Sequence, residues 1–397
     1  VHRRRCAVAG AHSAGRVLVP GVVPVGAPDD DEPDTPAVSV AGPHAVPDPH
    51  ADASPPPPPA DPLAGWTLEQ KVGQLLMVGL PVRGSRDTTA ALVRDRHVGG
   101  VFLAGRSQAP VQNVLNLVDA FRAMSHDPVR LLVATDQEGG QVRVLQGPGF
   151  TAAPPATQQV TLPDLAAQAT TWGTELRAAG VDVDLAPVAD LVPPELGTGN
   201  APIGRYGRNY GSTPESVVAG AGAFAAGMRA AGVVPTVKHF PGLGRVTQNT
   251  DTTAGVHDSV TTADDASVGV FRDVVAAASR GDGPRPWVMM STAVYDRIDP
   301  TLPAAFSPTV VGLLRGTLGF DGVVVTDDVS HAAQVQAWSP GDRAVLAVEA
   351  GVDVVLASAD PSTANAMLDA LVAKAQADPA FAAKVDAAAR RVVAAKG

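Results

Sequence analysis

Cysteine is nearly missing from this chain: Cys6 stands alone in 397 residues. That excludes an internal disulfide framework and a cysteine-rich metal site, and it leaves the compartment open. Aromatic residues are scarce as well, at 4%, which disfavours a long binding cleft paved with aromatic platforms. Positive charge is in deficit, with 30 Lys and Arg against 40 Asp and Glu and a formal charge of −10. No strong positive field exists to attract a phosphate backbone, so nucleic acid is not an expected partner. No apolar run reaches about 18 residues, so no membrane span is expected. What the chain does have is 45% hydrophobic content, enough to bury a large core in one big domain or two ordinary ones.

Residues 1–60 differ from the rest. Ala, Pro, Asp and Gly dominate, Asp29-Asp30-Asp31-Glu32 is a charge run, and Pro55 to Pro59 form a proline tract. This composition predicts a disordered N-terminal segment or linker ahead of a folded domain at 61–397. Arg3-Arg4-Arg5 followed by small and apolar residues resembles the start of an export signal, which points to the cell envelope. The apolar stretch from Val17 to Val23 is short and broken by Pro20 and Gly21, so a plain linker and a cytoplasmic location stay open.

From Leu63 onward, short apolar runs alternate with segments of helical length. Eight strands are expected, at 75–80, 100–104, 131–135, 181–186, 233–237, 287–290, 322–326 and 352–357. Helical patterns lie at about 86–97, 109–125, 163–179, 213–231, 262–280, 306–318, 340–350 and 361–374, with a last helix over 381–396. Eight β/α units predict an α/β fold, a single-domain (β/α)8 TIM-type barrel. A doubly wound open sheet is the runner-up, because strand count does not prove closure.

Charged residues recur just after the apolar runs, and a barrel gathers those ends on one face. Asp136-Gln137-Glu138-Gly139-Gly140 follows the third run, Asp190 and then Arg205 and Arg208 the fourth, Lys238-His239 the fifth, and Asp327-Asp328 the seventh. Pro241, Gly242 and Gly244 end the fifth run, and a polar loop continues to Asp251. Carboxylates, Lys, His and Arg around one mouth fit three chemistries: a retaining glycosidase, Schiff-base catalysis by Lys238, or metal-assisted proton abstraction with Asp136, Glu138 and Asp327 as oxygen ligands. Spacing alone does not separate them.

Five motifs in order do. Asp136 to Gly140, Val188-Ala189-Asp190-Leu191, Arg208-Asn209-Tyr210-Gly211-Ser212, Lys238-His239-Phe240-Pro241-Gly242-Leu243-Gly244, and Gly319 through Asp328 resemble glycoside hydrolase family 3. The resemblance is to its single-barrel β-N-acetylglucosaminidase branch, and it spans roughly residues 63–396. It implies a barrel mouth that binds one terminal N-acetylhexosamine. Asp327 would be the nucleophile forming a covalent glycosyl-enzyme. Asp136, Arg208, Lys238 and His239 would hold the sugar, and Lys238 and Arg208 would keep nearby carboxylates ionised. Asp328 is read as a structural carboxylate. No cofactor and no metal are called for; the partner is a small carbohydrate substrate, and oligomeric state is not legible.

The chain departs from the branch at three places. Gly242-Leu243-Gly244 stands where Gly-His-Gly is usual. Asn249-Thr250-Asp251 occupies the place of Asp-Ser-His, whose His is the branch's acid/base, so Asp251 becomes the candidate, provided desolvation raises its pKa. His257, six residues on, is the alternative. The Arg expected eight residues after Asp136 is Val144 here, with Arg143 one position short. The resulting reading is a retaining, exo-acting β-N-acetylhexosaminidase-like glycosidase acting on amino-sugar glycosides such as peptidoglycan fragments. A β-glycosidase of other sugar preference and a catalytically impaired glycan-binding barrel are the alternatives.

Overall fold

A computed structural model describes residues 61–396 and Gly42. The expected N-terminal segment, with its arginines, Cys6 and proline tract, lies outside the described residues apart from that glycine. The eight barrel strands are β1 (Leu76–Pro81), β2 (Gly100–Ala104), β3 (Leu132–Thr135), β4 (Val183–Asp184), β5 (Val234–Phe240), β6 (Trp287–Met290), β7 (Val324–Asp328) and β8 (Val354–Ala357). Each pairs in parallel with its neighbours in chain order, and β8 returns to β1, so the sheet closes. Closure rules out the open sheet and establishes a (β/α)8 barrel.

The outer layer follows the expected segments: α1 (Asp87–Asp95), α2 (Val111–Arg122), α3 (Leu165–Ala178), α4 (Pro214–Ala230), α5 (Ala266–Ala278), α6 (Pro308–Gly312), α7 (Pro340–Ala350), α8 (Ala364–Ala377) and α9 (Pro379–Ala394). Their starts have local causes. Thr213 caps α4 by accepting from the Ser216 amide, with Pro214 at the first helical position, and Asp378 caps α9 by accepting from the Ala380 and Phe381 amides.

Two apolar layers result. Met77, Leu132, Ala134, Val183, Leu185, Val234, Trp287, Met289, Val325, Val354 and Leu356 belong to the cluster inside the barrel. Their strand neighbours Val78, Val133, Val237, Val288, Val324 and Val355 belong to the cluster under the helices. This is the two-residue alternation of a barrel wall. Extending the inward rows by one step carries 132-134 to Asp136, 234-236 to Lys238 and 323-325 to Asp327. The same alternation that fills the core therefore aims these polar side chains at the mouth.

At the opposite rim, buried Asp182 receives Arg122, Arg130 and Arg177 at 2.8, 3.0 and 2.9 Å, and buried Asp353 receives Arg315 and Arg391 at 2.5 and 2.9 Å. These clusters tie strand starts to helices and leave the carboxyl-end rim for chemistry.

Candidate active site

Lys238 and His239 lie within β5, and Asp327 and Asp328 within β7. The sequence reading put them just beyond the strands. Strand hydrogen bonding continues past the last apolar residue, which hydropathy does not register. Around the strand ends opens a cavity of about 630 Å³, lined among others by Phe102, Arg106, Asp136, Tyr206, Arg208, Lys238, His239, Asn249, Asp251, Asp327 and His331.

The floor is an ionic network. Lys238 Nζ sits 2.7 Å from Asp136 Oδ1 and 2.7 Å from Glu138 Oε1. Arg208 donates from Nε at 2.9 Å and Nη2 at 2.7 Å to the two oxygens of Glu138, a two-pronged pair. Burial pushes the Glu138 carboxyl up, but Arg208 and Lys238 outweigh it and hold it at about 2. Burial likewise pulls Lys238 down, and Asp136 and Glu138 more than reverse that, keeping the ammonium above its ordinary value. Held as an ammonium between Asp136 and Glu138, Lys238 does not suit the free-amine role of Schiff-base catalysis. Glu138 and Asp136 spend oxygens on cations, and among the described residues no cluster of three metal-ligating side chains forms.

His239 donates through Nδ1 to Asp190 Oδ2 at 2.7 Å. The other Asp190 oxygen accepts from the amides of His239 and Leu243 at 3.2 and 2.8 Å. Leu243, where the branch carries His, is buried in this turn. Gly244 is required there, since a Cβ would stand 1.9 Å from the Leu191 carbonyl oxygen. Asn200, wholly buried, joins the loops after β4 and β5: its Nδ2 donates to Leu243 and Val246 carbonyls at 2.7 and 2.8 Å, and its Oδ1 accepts from the Ile203 and Gly204 amides. Those contacts set the turn that brings Arg208 over Glu138. Packing requires Gly139, where a Cβ would meet the Pro154 carbonyl oxygen at 2.3 Å.

Asp327 is half-buried on the cavity wall, its Oδ1 accepting from the Asp328 amide at 2.8 Å. Burial raises its carboxyl to about 6; His239 works against the rise and Asp251 adds to it. Lys238 pulls the Asp327 carboxyl down, the expected direction, but burial outweighs it and the group ends raised. Lys238 and Arg208 are committed to Asp136 and Glu138, and desolvation governs Asp327. Asp328 turns to structure, accepting from the Ser330 hydroxyl at 2.7 Å and the amides of Ser358 and His331 at 2.8 Å each.

Asp251 comes to the mouth and His257 does not. Burial among the mouth side chains raises the Asp251 carboxyl although the residue keeps solvent access; Arg208 and His239 oppose the rise and Asp328 supports it. His257 instead lies in a short strand, His257–Asp258, exposed and 2.7 Å from Asp296. It is absent from the cavity lining, because the chain between 251 and 257 turns away to join a side sheet. Arg143 also misses the cavity and donates to the Gly140 carbonyl at 3.3 Å, with Val144 buried. The guanidinium on that side is Arg106, whose Nη1 donates to the Gln141 carbonyl at 2.9 Å. Arg106 stands two residues past the expected strand at 100–104, so the strand-end signal that picked out the other charged residues could have found it. Glu138 as the anchor of both cations was open to inference from its place two residues after Asp136, on the same side of an extended chain.

A carboxylate on the wall, a second raised carboxyl beside it and a cationic floor suit glycosyl transfer to water. The comparisons agree. The model of the glycosyl hydrolase family 3 N-terminal domain matches residues 67–395. A β-hexosaminidase of Methylococcus capsulatus is 35% identical over 282 residues, 69% of this chain and 79% of the relative. One of Alkalilimnicola ehrlichii is 36% identical over 308 residues, covering 74% and 83%. Among solved structures, a β-N-acetylhexosaminidase from Beutenbergia cavernae superposes with a TM-score of 0.80 at 58% identity, covering 83% of this chain and 98% of that one. Fold, site geometry and these matches together make the chain a member of glycoside hydrolase family 3, an enzyme that hydrolyses glycosides.

Proposed function

We propose that this glycoside hydrolase is a retaining, exo-acting β-N-acetylhexosaminidase-like enzyme that removes a terminal N-acetylhexosamine from small amino-sugar glycosides, cell-wall fragments among them. The observation that carries the proposal is that Asp327 and Asp251 line one mouth, both carboxyls raised by desolvation, with the Asp251 charge adding to the rise at Asp327. Two carboxyls in that relation divide into nucleophile and acid. Ionised Asp327 attacks the anomeric carbon as the glycosidic C–O bond breaks, and protonated Asp251 gives its proton to the departing oxygen. Water then attacks the glycosyl ester, Asp251 takes a proton from it, and the sugar leaves as Asp327 recovers its carboxylate.

Asp136, Arg208, Lys238 and His239 are the sugar-holding groups in this reading. The names of the relatives support the hexosamine preference. The altered Asn249-Thr250-Asp251 loop favours one second reading, a β-glycosidase of other sugar preference. Hydrolysis of a panel of aryl β-glycosides, N-acetylglucosaminide included, by wild type and Asp327→Ala separates the two. The N-acetylhexosaminide should be turned over fastest, and Asp327→Ala should abolish turnover of every member while melting like wild type. Preference for a simple glucoside or xyloside would refute the amino-sugar assignment.

A further inference from the structure

The loop that delivers Asp251 is not free at the rim. Ala333 N donates to the Asp251 carbonyl at 3.0 Å and Gln334 N to the Thr250 carbonyl at 3.1 Å. The Gln334 side chain reaches the far end of the same loop. Its Oε1 accepts from the Val256 amide at 2.8 Å, and its Nε2 donates to the Val256 carbonyl at 3.1 Å. Gln334, Thr250 and Val256 are all buried, so these bonds form away from competing water and are costly to leave unmade. Between its clasped ends the loop makes its own turn, with the Thr252 and Thr253 amides donating to the Asn249 carbonyl at 3.2 and 2.9 Å. The Asp251 amide donates to Asn249 Oδ1 at 2.9 Å.

We propose that Gln334 is a positioning residue for proton transfer: it joins both ends of loop 249–256 to the segment that follows β7, so that the loop carrying Asp251 and the strand carrying Asp327 move as one unit. The proposal rests on the reading of Asp251 as acid/base. Only an amide side chain meets the demand, because Val256 presents one donor and one acceptor side by side. A carboxylate in its place would lose the donor and bring another negative charge toward the acidic mouth. General acid catalysis is sensitive to such placement, and a displacement of about 1 Å costs on the order of 10²-fold.

The test is Gln334→Met, which keeps the volume and removes both side-chain bonds, with Gln334→Glu as a second variant that keeps only the acceptor. Backbone amide exchange over loop 249–256 should quicken in Gln334→Met while the rest of the barrel exchanges as before. kcat/KM on glycosides with poor leaving groups should fall roughly 10- to 100-fold, and activated aryl glycosides should lose little. Gln334→Glu, which sets a carboxylate oxygen against the Val256 carbonyl, should show the same pattern at least as strongly. Unchanged loop exchange, or an equal loss across all leaving groups, would overturn the proposal. Asp251→Ala measured alongside keeps the two failures apart. If that variant shows no leaving-group dependence, Asp251 is not the acid, whereas a leaving-group-dependent Asp251→Ala beside a silent Gln334→Met rejects the clasp alone.

Discussion

Asp327 and Asp251 are the same residue type in one cavity, and the proposed reaction gives them different work. With the Asp327 carboxyl raised to about 6, kcat/KM should fall as pH drops through that region, because the protonated form cannot attack. Asp251→Ala should move that acid limb to lower pH, since the charge that raises Asp327 is gone. The same variant should slow glycosides with poor leaving groups by roughly 10²–10⁴-fold and activated ones less, with azide restoring turnover by attacking the glycosyl-enzyme. A pH–rate series on both enzymes checks this; an acid limb that stays fixed would detach the two carboxyls. Asp136, Arg208, Lys238, His239 and Asp327 were legible in the sequence because each sits inside an ordered motif. Asn200 and Gln334 were not, since each matters through a contact with chain 43 or 78 residues away that local pattern does not encode.

At the scale of elements, the two-residue alternation along each strand does most of the positioning. It was legible where runs were long and β-branched, and β2 and β6 have the expected bounds. β4 shrank to Val183–Asp184, although the apolar run there is longer. The chain bends away after it, carrying Asp190 to His239, and hydrophobicity reports burial and not ladder pairing. Asp184 at the end of β4 is wholly buried beneath the ionic floor. Burial raises its carboxyl to about 8, with the Gln137 amide, 2.9 Å from Oδ1, working against the rise. A carboxyl that ionises near an ordinary value of about 4 when unfolded and near 8 when folded loses native stability as pH rises between those values. Asp184→Asn keeps an acceptor for the Gln137 amide and cannot ionise. Its melting temperature relative to wild type should climb steadily from pH 5 to about pH 8. A difference that is flat across this range, or largest at acid pH, would contradict the burial argument.

For the whole molecule, the barrel was readable from eight alternations of strand and helix, while closure came only from the pairing of β8 with β1. The division into an N-terminal segment at 1–60 and a barrel domain at 61–397 is proposed from composition: a Pro- and Asp-rich stretch has little apolar surface to bury. Deleting residues 1–60 should leave melting temperature and kcat/KM nearly unchanged, and a large drop in either on thermal melts or assay would show that the segment packs on the barrel. The central claim, that this barrel works through a glycosyl ester on Asp327, is tested most directly by trapping. Incubation with a fluorinated N-acetylhexosaminide carrying a good leaving group, followed by intact mass and peptide mapping, should show one added sugar on the peptide containing Asp327. The Asp327→Ala variant should take up none. A label on another carboxylate, or turnover with inverted anomeric configuration and no label at all, would contradict the account.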